Sequence, residues 1–435
     1  MSSTTNLKGI VVQVASYNTN LQGNLGLPQD LVDWLNPTLT VSNFLTRAPN
    51  GPDIVAVGFQ ELLPLHLGFS GLSRSVIKSR DNLIRSQIEE HAPNKESYNL
   101  VAHEVLVGVA LLVYARDNGV GRRICDVQTS WTGCGPAWMG NKGAVGVRFR
   151  VRGEDGSAGE VFTFVNAHLT AHAPKLKQRI NDWNHIARTL LFPSLHEKGQ
   201  PTTMYSTSHL FFSGDLNFRL DVPASHPLRA HPDYIARLNA YLDTEEGRKE
   251  LKEHDQLLIE RGKNTVFQGL SEAEFWRFKC TYKFKLNSVD QYSTKRIPSW
   301  TDRILYATYT DTPDSSKIVP LLYTSIPSYT TSDHKPIVAL LAIPPPTESE
   351  SSPSPSLPPS TSSKAIPYLR NTPDYRPDPR ANLKRYVGKG LGRIIGFIWF
   401  VFVLLGLGNA AIGISNVVLG MGAWSWWRKS NIELV

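Results

Sequence analysis

The chain has 435 residues, of which 41% are hydrophobic and 10% aromatic, so it can bury one large core or two ordinary ones. Its three cysteines, Cys125, Cys134 and Cys280, are too few and too scattered for a disulfide framework or a zinc cluster. The net charge of +8 favours a phosphate-bearing partner, without choosing between nucleic acid, inositol phosphate and an anionic membrane. Residues 1–9 are polar and lack the apolar run of a signal peptide, so we expect the catalytic part to face the cytosol.

The segment 1–343 is predicted to form one globular catalytic domain, with strand-like and helix-like stretches in alternation. β-Branched and apolar runs predict strands at 8–16, 53–59, 101–114, 143–151, 161–165, 209–212, 303–307 and 336–342. Residues 175–195 and 231–256 have the length and spacing of helices. Because the strands are almost continuously apolar, we expect sheets that are buried on both faces in an α/β layered domain.

Residues 344–391 differ sharply in composition from the segment before them. Ser and Pro dominate residues 344–364, and such sequences favour extended conformers and cannot pack a core. We therefore predict a disordered Ser/Pro-rich linker over 344–391, with a basic end next to the tail.

The tail, residues 392–435, is predicted to be a membrane anchor. Ile394 to Trp427 is a run of 34 residues with no acidic, basic or histidine side chain, whereas a membrane-spanning helix needs only ~20 apolar residues. Basic residues precede the run: Arg376, Arg380, Lys384, Arg385, Lys389 and Arg393. By the positive-inside rule they predict a cytosolic catalytic domain on the endoplasmic reticulum or another endomembrane.

The topology of this tail is left open. As one helix the run would be about 51 Å long at ~1.5 Å per residue, against a hydrocarbon core of ~30 Å. Gly406, Gly408 and Asn409 lie near its middle. A single tilted span and a short hairpin that returns to the same face both fit the pattern.

Polar residues follow or precede the predicted strands in a repeated way. They are Asn18, Asn20, Gln60, Glu61, His168, Asp215, Asn217, Asp302, Arg303, Asp333 and His334. Each fragment alone is compatible with a loop or a helix cap. Together, carboxylates, amides and histidines at one end of packed sheets predict a metal-assisted phosphoryl-transfer site.

Five segments carry a more specific signal. They are WTGCGPAWMGNKGAVGVRF (131–149), FVNAHLTAH (164–172), GDLNFR (214–219), TYKF (281–284) and RIPSWTDRILY (296–306). With them the chain resembles the inositol polyphosphate 5-phosphatases of the endonuclease/exonuclease/phosphatase superfamily, from about Lys8 to Leu341. The GDLN (214–217) and SDH (332–334) motifs are shared across the superfamily. The GNKG (140–143) and RxPxWxDR (296–303) motifs are typical of the 5-phosphatases. The resemblance implies a DNase I-like four-layer sandwich, in which helices flank two stacked mixed β-sheets and the site lies at one rim.

The same resemblance implies a metal and an attacking water. Glu61 and Asn20 would lie at a Mg²⁺ ion, which prefers few protein oxygens and retains several waters. Asp215 would orient and deprotonate the water, and Asn217 would fix its position.

Two histidines are implied to stabilise the phosphate as its charge shifts. His334 and His168 would donate to phosphate oxygens. Either Asp333 or Asp302 would hold His334 in the required tautomer, and Asn18 would complete the hydrogen-bond network.

Substrate binding is implied for a set of mostly cationic residues. Tyr282, Lys283 and Arg296 would contact a 4-phosphate, and Asn141 and Lys142 the 1-phosphate side. Arg303 would either bind phosphate or brace the site.

One position departs from the family pattern. The family places a lysine four residues before the motif proline, Pro298, where this chain has Thr294. The neighbouring Lys295 is a candidate replacement, and otherwise the requirement for a 4-phosphate is weaker.

These patterns predict a Mg²⁺-dependent phosphatase that removes the 5-phosphate of phosphoinositides such as PtdIns(4,5)P₂, attached to a membrane by its C-terminal segment. The alternatives are a neutral sphingomyelinase-like phosphodiesterase of the same superfamily and a catalytically dead membrane adaptor. A membrane anchor disfavours nucleic acid as a partner. The organelle, the preferred lipid and the role of the linker are not determined by the sequence.

Overall fold

The computed structural model describes residues 9–20, 51–92, 95–154, 156–195, 199–346, 366–370, 372–404 and Leu419. The strands are β1 (Val11–Asn18), β2 (Ile54–Gln60), β3 (Tyr98–Leu106), β4 (Val109–Arg116), β5 (Ile124–Gly133), β6 (Gly143–Val151), β7 (Glu160–His168), β8 (His209–Asp215), β9 (Asp302–Thr308), β10 (Val319–Ser325) and β11 (Ile337–Ala342). The α-helices are α1 (Leu65–Ser70), α2 (Ser73–His91), α3 (Leu176–Thr189), α4 (Tyr234–Leu242), α5 (Glu245–Leu251), α6 (Gln256–Gly262) and α7 (Ala381–Leu404).

The strands form two mixed sheets. The first has the order β10-β11-β1-β2-β4-β3 and the second the order β5-β6-β7-β8-β9. Within each sheet one central pair is parallel, β1 with β2 and β7 with β8, and the other pairs are antiparallel. The predicted pair of mixed sheets flanked by helices is confirmed.

Apolar side chains fill three layers between and outside the sheets. The central layer includes Val14 from β1 and Phe164 from β7, which are both buried between the two sheets. The outer face of the first sheet packs against α2 through Ile84, and that of the second sheet against α3 through Trp183. Because both faces of each sheet are covered, the central strands read as continuous apolar runs in the sequence.

The two parallel pairs bring the polar strand ends to one rim. Asn18 lies opposite Gln60 at the ends of β1 and β2, and His168 lies opposite Asp215 at the ends of β7 and β8. The antiparallel strand β9 begins at this same rim, where Asp302 pairs with Asp215. The two sheets face each other, so these residues meet across the top of the central layer.

Residues 366–370 and 372–380, predicted as part of the disordered linker, instead lie against the second sheet and α3. Leu369 N donates to Thr207 O at 2.8 Å, and the Tyr375 hydroxyl accepts from Trp183 Nε1 at 3.0 Å. The same hydroxyl lies 2.9 Å from Gln268 Oε1. Helix α7 follows this segment, and its Gly388, Gly392 and Gly396 form a buried face.

The predicted membrane-anchored location is contradicted. Among the described residues, no helix combines the length and the apolar character that a membrane span requires. Helix α7 is 24 residues long, but its first thirteen residues carry Lys384, Arg385, Lys389 and Arg393. Of the apolar run from Ile394 to Trp427, residues 405–418 and 420–427 lie outside the described part of the chain, as do 428–435.

Candidate active site

Asp215, at the end of β8, is the centre of the polar rim. Its carboxylate is buried and accepts from Asn18 Nδ2 at 2.9 Å and from the backbone N–H of Asn217 at 3.1 Å. Nε2 of His168 lies 3.4 Å from its Oδ2, and Nε2 of His334 lies 3.9 Å from the same oxygen. Burial alone would raise the pKa of Asp215, but His334 and His168 outweigh it and lower that pKa. Asp215 is therefore an ionised carboxylate throughout the neutral range.

His334 is held by Asp302 rather than by Asp333. Its Nδ1 lies 2.9 Å from Asp302 Oδ2, which also accepts from the hydroxyls of Thr281 and Thr301 at 2.7 and 2.9 Å. Burial lowers the pKa of His334, but the carboxylates of Asp302 and Asp215 raise it to about 10. At neutral pH the ring is an imidazolium with Nε2 directed toward Asp215.

Asp333, one of the two predicted partners of His334, pairs instead with Lys283, whose Nζ forms a salt bridge with its Oδ2. Burial lowers the pKa of Lys283, but the hydrogen bond to Asp333 raises it. The carboxylate of Asp333 thus positions Lys283, and Asp302 orients His334.

Glu61 follows the end of β2 by one residue, and Asn20 follows the end of β1 by two. The two chains stay in parallel register there, because Thr19 Oγ1 donates to Glu61 O at 2.9 Å and Thr19 N donates to Gln60 O at 2.9 Å. The Glu61 carboxylate lies 3.8 Å from Nε2 of His168 and is partly exposed. One carboxylate and one amide at an open edge match the oxygen donors that Mg²⁺ takes from proteins.

Three of the predicted site residues have left-handed backbone conformations. The φ angles of Asn20, Glu61 and Asn217 are 53°, 52° and 58°. Such angles cost free energy for residues with a side chain, least for asparagine. All three residues follow the end of a strand at the rim.

A second group of donor atoms also satisfies the distances of a metal site. One atom each from Asp215, Asp302 and His334 lies within 4.8 Å of the others, and all three residues are buried. However, Nδ1 of His334 is already bonded to Asp302, and a protonated imidazole does not ligate a metal. The donor chemistry therefore fits a cation better at Glu61 and Asn20.

His168 and Lys142 are in direct contact. The ammonium of Lys142 lies against Nε2 of His168, and β6 and β7 bring them together because Gly143 pairs with His168. Burial first, and then Lys142, lower the pKa of His168, while burial lowers the pKa of Lys142. His168 is therefore neutral near pH 7, unlike His334.

The remaining predicted substrate residues lie at different depths. Tyr282 packs on the ring of His334, with centroids 4.7 Å apart. Asn141 directs its amide oxygen toward Gly135, where a side chain would collide with it. Arg296 and Lys295 are exposed, and the backbone N–H of Lys295 donates to Ser293 Oγ at 3.2 Å.

Basic side chains cluster around His172 on one side of the rim. Burial lowers the pKa of His172, and Lys175, Arg219, Arg296 and Lys142 lower it further in that order. A neutral imidazole beside four basic side chains marks a region of positive potential, and such a region attracts a ligand with several phosphates.

Arg303 does not reach the site, which corrects its prediction as a substrate-binding residue. Its side chain is 0% exposed, and it donates to Glu272 Oε1 and Oε2 at 2.6 and 2.7 Å and to Asp255 Oδ1 at 2.9 Å. Burial would lower the pKa of Arg303, but Asp255 and Glu272 raise it. The alternative role that the sequence allowed, bracing the site from behind β9, is the one the contacts support.

Sequence reasoning missed the residues that join the two sheets below the rim. Asn166, from β7, donates to Phe59 O and Ala110 O at 2.9 Å and accepts from Gln60 Nε2 at 2.6 Å. Gly58 leaves room for it, since a Cβ there would lie 2.6 Å from the amide. An asparagine inside an otherwise apolar strand was the available signal, because buried polar groups need partners.

Known proteins share this arrangement. A model of the endonuclease/exonuclease/phosphatase family 2 matches residues 15–340. The chain is 29% identical to synaptojanin-2 of Rattus norvegicus over 314 residues, which is 70% of this chain and 19% of that protein. It is 28% identical to the type II inositol 1,4,5-trisphosphate 5-phosphatase of Mus musculus over 337 residues, covering 76% of this chain and 29% of that protein. The chain thus spans about a fifth to a third of the length of these relatives.

Solved structures agree with the sequence matches. The inositol polyphosphate 5-phosphatase domain of SPsynaptojanin, in complex with inositol (1,4)-bisphosphate and calcium, superposes with a TM-score of 0.56 at 29% identity, covering 77% of this chain and 84% of that one. A Cimex nitrophorin in its ferrous NO complex reaches a TM-score of 0.52 at 21% identity, covering 76% of this chain and 97% of that one. The nitrophorin shows a common fold only, so function has to be argued from the residues of the rim.

The chain belongs to the endonuclease/exonuclease/phosphatase family 2. Within it, the matched segment is similar to the inositol polyphosphate 5-phosphatase domain of SPsynaptojanin and to the type II inositol 1,4,5-trisphosphate 5-phosphatase.

Proposed function

We propose that this protein hydrolyses the 5-phosphate of a phosphoinositide headgroup such as that of PtdIns(4,5)P₂, with Mg²⁺ as cofactor. The observation that carries the proposal is the buried series Asp302–His334–Asp215, in which an imidazolium lies between two carboxylates at the rim. It provides an acceptor for a water proton and a donor for a phosphate oxygen within one small space. The relatives and the solved domain, whose names concern inositol phosphates, support this choice of substrate.

Asp215 is placed to bind the attacking water. Asn18 and the backbone of Asn217 hold its two oxygens, so the carboxylate cannot rotate. As the water oxygen bonds to phosphorus, its proton passes to Asp215. The bond from phosphorus to the inositol oxygen breaks, and that oxygen takes up a proton from solvent to leave as a hydroxyl. The low pKa keeps Asp215 ionised before the reaction and makes the orientation of the water its main contribution.

His334 faces the same space with a positive charge. Since the Nδ1–H of His334 donates to Asp302, its Nε2–H is the donor directed toward Asp215 and an incoming phosphate. This donor stabilises charge on the phosphate oxygens in the transition state. His168 is neutral and lies beside Lys142, so this pair supplies further donors from the opposite side.

The cation is assigned to Glu61 and Asn20. A Mg²⁺ ion held there would supply positive charge that stabilises the phosphate in the transition state. Glu61 contributes a carboxylate from a backbone turned by its left-handed conformation, and Thr19 fixes that turn. The Glu61 carboxylate is also close to His168, which links the cation side to the phosphate side.

Specificity for a second phosphate is assigned to the basic residues on one side of the rim. Lys283 is directed by Asp333, and Tyr282 lies on His334, so a phosphate next to the scissile one meets both. Arg296 and Lys295 are exposed, and they add charge without a fixed geometry.

Phosphate release tests the proposal. The full chain with Mg²⁺ is expected to release phosphate from PtdIns(4,5)P₂ and inositol 1,4,5-trisphosphate, and to leave sphingomyelin intact. Asp215→Asn is expected to abolish release. Asp314→Asn is the matched control, because Asp314 is an exposed carboxylate beyond the opposite end of β9. Sphingomyelin cleavage, or full activity of Asp215→Asn, would refute the proposal.

A further inference from the structure

We propose that Arg219 is a positioning residue for this hydrolysis, acting on Asn217 and Tyr282 without contacting the substrate. The inference rests on the proposed function. Arg219 ends the GDLNFR segment, and the sequence assigns it no role. Its side chain lies just behind the rim.

Arg219 fixes which atom of the Asn217 amide faces the site. Its Nε donates to Asn217 O at 3.1 Å, and its Nη2 donates to Asn217 Oδ1. A guanidinium has only donors, so it holds the amide oxygen and forces the NH₂ group away. That NH₂ donates to Leu169 O at 3.1 Å, which leaves its second hydrogen for the reacting groups. Without Arg219 the amide can rotate and present an acceptor instead.

The same guanidinium packs on the substrate side of the site. Its Cζ lies 4.4 Å from the centroid of Tyr282, whose ring lies 4.7 Å from that of His334. Arg219, Tyr282 and His334 therefore form one series of contacting planar groups. A shift of Arg219 displaces both the amide that places the water and the ring beside the imidazolium.

Arg219 is held in place from outside the rim. Its backbone N–H donates to Gln256 Oε1 at 3.1 Å, and this oxygen also accepts from Arg179 Nη2 at 2.7 Å. Gln256 begins α6, so a helix outside the site sets the register of Arg219. The residue is only 8% exposed, which favours positioning over direct binding of phosphate.

Steady-state kinetics of Arg219→Met test the inference, because methionine keeps much of the volume and removes every donor. We expect kcat to fall about 10–100-fold, as for other supporting partners of catalytic groups, with KM nearly unchanged. Arg219→Lys keeps one donor and is expected to restore part of kcat. A raised KM with an unchanged kcat would make Arg219 a phosphate ligand and overturn the inference.

Two comparisons separate positioning from folding. Arg248 is 7% exposed and, like Arg219, donates to backbone carbonyl oxygens, including Leu242 O at 3.0 Å, but it lies on α5 away from the rim. Arg248→Met is expected to lower stability and leave kcat unchanged. In an Asn217→Ala background, Arg219→Met is expected to cause little further loss, because both changes remove the same amide. Full additivity of the two losses would overturn the inference.

The NMR signals of the Asn217 side-chain amide give a readout independent of turnover. In the wild-type protein we expect one sharp pair of NH₂ resonances, and in Arg219→Met exchange broadening or a second set. An unchanged pair in Arg219→Met overturns the positioning role. By contrast, a wild-type protein with fixed Asn217 resonances that releases no phosphate from any inositol phosphate overturns the proposed function alone.

Discussion

Nδ1 of His334 lies 2.9 Å from Oδ2 of Asp302, and both side chains are buried at the rim. The pair keeps the imidazole protonated, with a pKa of about 10. Activity should therefore be flat across the neutral range and fall as pH rises through about 10, when His334 loses its proton. Asp302→Asn removes the negative charge that stabilises the His334 imidazolium, so the alkaline limb of the activity profile should move to lower pH. A pH profile of kcat measures both, and identical limbs in the two proteins would contradict the assignment.

The same pair affects folding stability. The pKa of His334 is raised in the folded state above the usual histidine value of about 6.5. Its stabilising contribution is thus complete below about 6.5, and it is lost as pH rises through about 10. Chemical denaturation of the wild type between pH 6 and pH 10.5 should show a decline that is smaller in His334→Asn. An equal decline in both would place the alkaline loss elsewhere.

The cation assignment predicts the behaviour of Glu61→Gln. Removing the carboxylate should shift the Mg²⁺ dependence of phosphate release to higher concentration and weaken Mg²⁺ binding measured by calorimetry. Glu274→Gln is the control, since Glu274 is an exposed glutamate outside the rim that pairs with Arg277. Unchanged Mg²⁺ binding in Glu61→Gln, with binding lost in Asp302→Asn, would favour the buried group of Asp215, Asp302 and His334.

Arg303 and Lys283 should respond to substitution in opposite ways. Arg303→Met leaves Asp255 buried without its cation and Glu272 with Arg261 alone, which should cost about 3–5 kcal/mol of unfolding free energy. Lys283→Met removes a lysine whose side chain is 37% exposed, and it should raise KM with a smaller loss of stability. Denaturant unfolding together with KM separates the two roles. A raised KM in an otherwise stable Arg303→Met would restore the substrate-binding role.

Tyr375 tests whether the segment after residue 365 belongs to the domain. Its hydroxyl contacts Trp183, Asn184 and Gln268. Tyr375→Phe leaves these polar groups without that partner, so we expect a loss of about 1–3 kcal/mol. Tyr386→Phe, on an exposed part of α7, should be neutral. Equal stability of both variants would mean that the segment does not stabilise the fold.

Much of the architecture could be predicted because buried strands keep their apolar character. The strands at β1, β2, β6 and β7 fall close to their predicted positions. The run 101–114 was predicted as one strand, but it is the hairpin of β3 and β4, with Val107 at a φ of 55° in the turn. Strands β5 and β10 were missed, since their mixed polar and apolar faces are partly exposed.

For the site, the sequence located the residues but not all of their partners. It left Asp302 and Asp333 as equal candidates beside His334, because adjacency in the sequence favours Asp333 while the pairing of β8 with β9 selects Asp302. It placed Arg303 among cations for phosphate, because the acidic residues that neutralise it are 31 and 48 positions away. Partners distant in sequence are decided by topology, which spacing alone does not reveal.

The two parallel strand pairs also have a consequence for how the protein folds. Asn18 and Asp215 are 197 positions apart, and Ser332 bonds to Asn18 across 314 positions. Parallel pairing requires long crossovers, and contacts so distant in sequence form late and slowly. A refolding chain should therefore regain its circular dichroism before its turnover. Catalysis is the last property that this fold acquires, so a truncated or stalled intermediate carries the motifs without the activity.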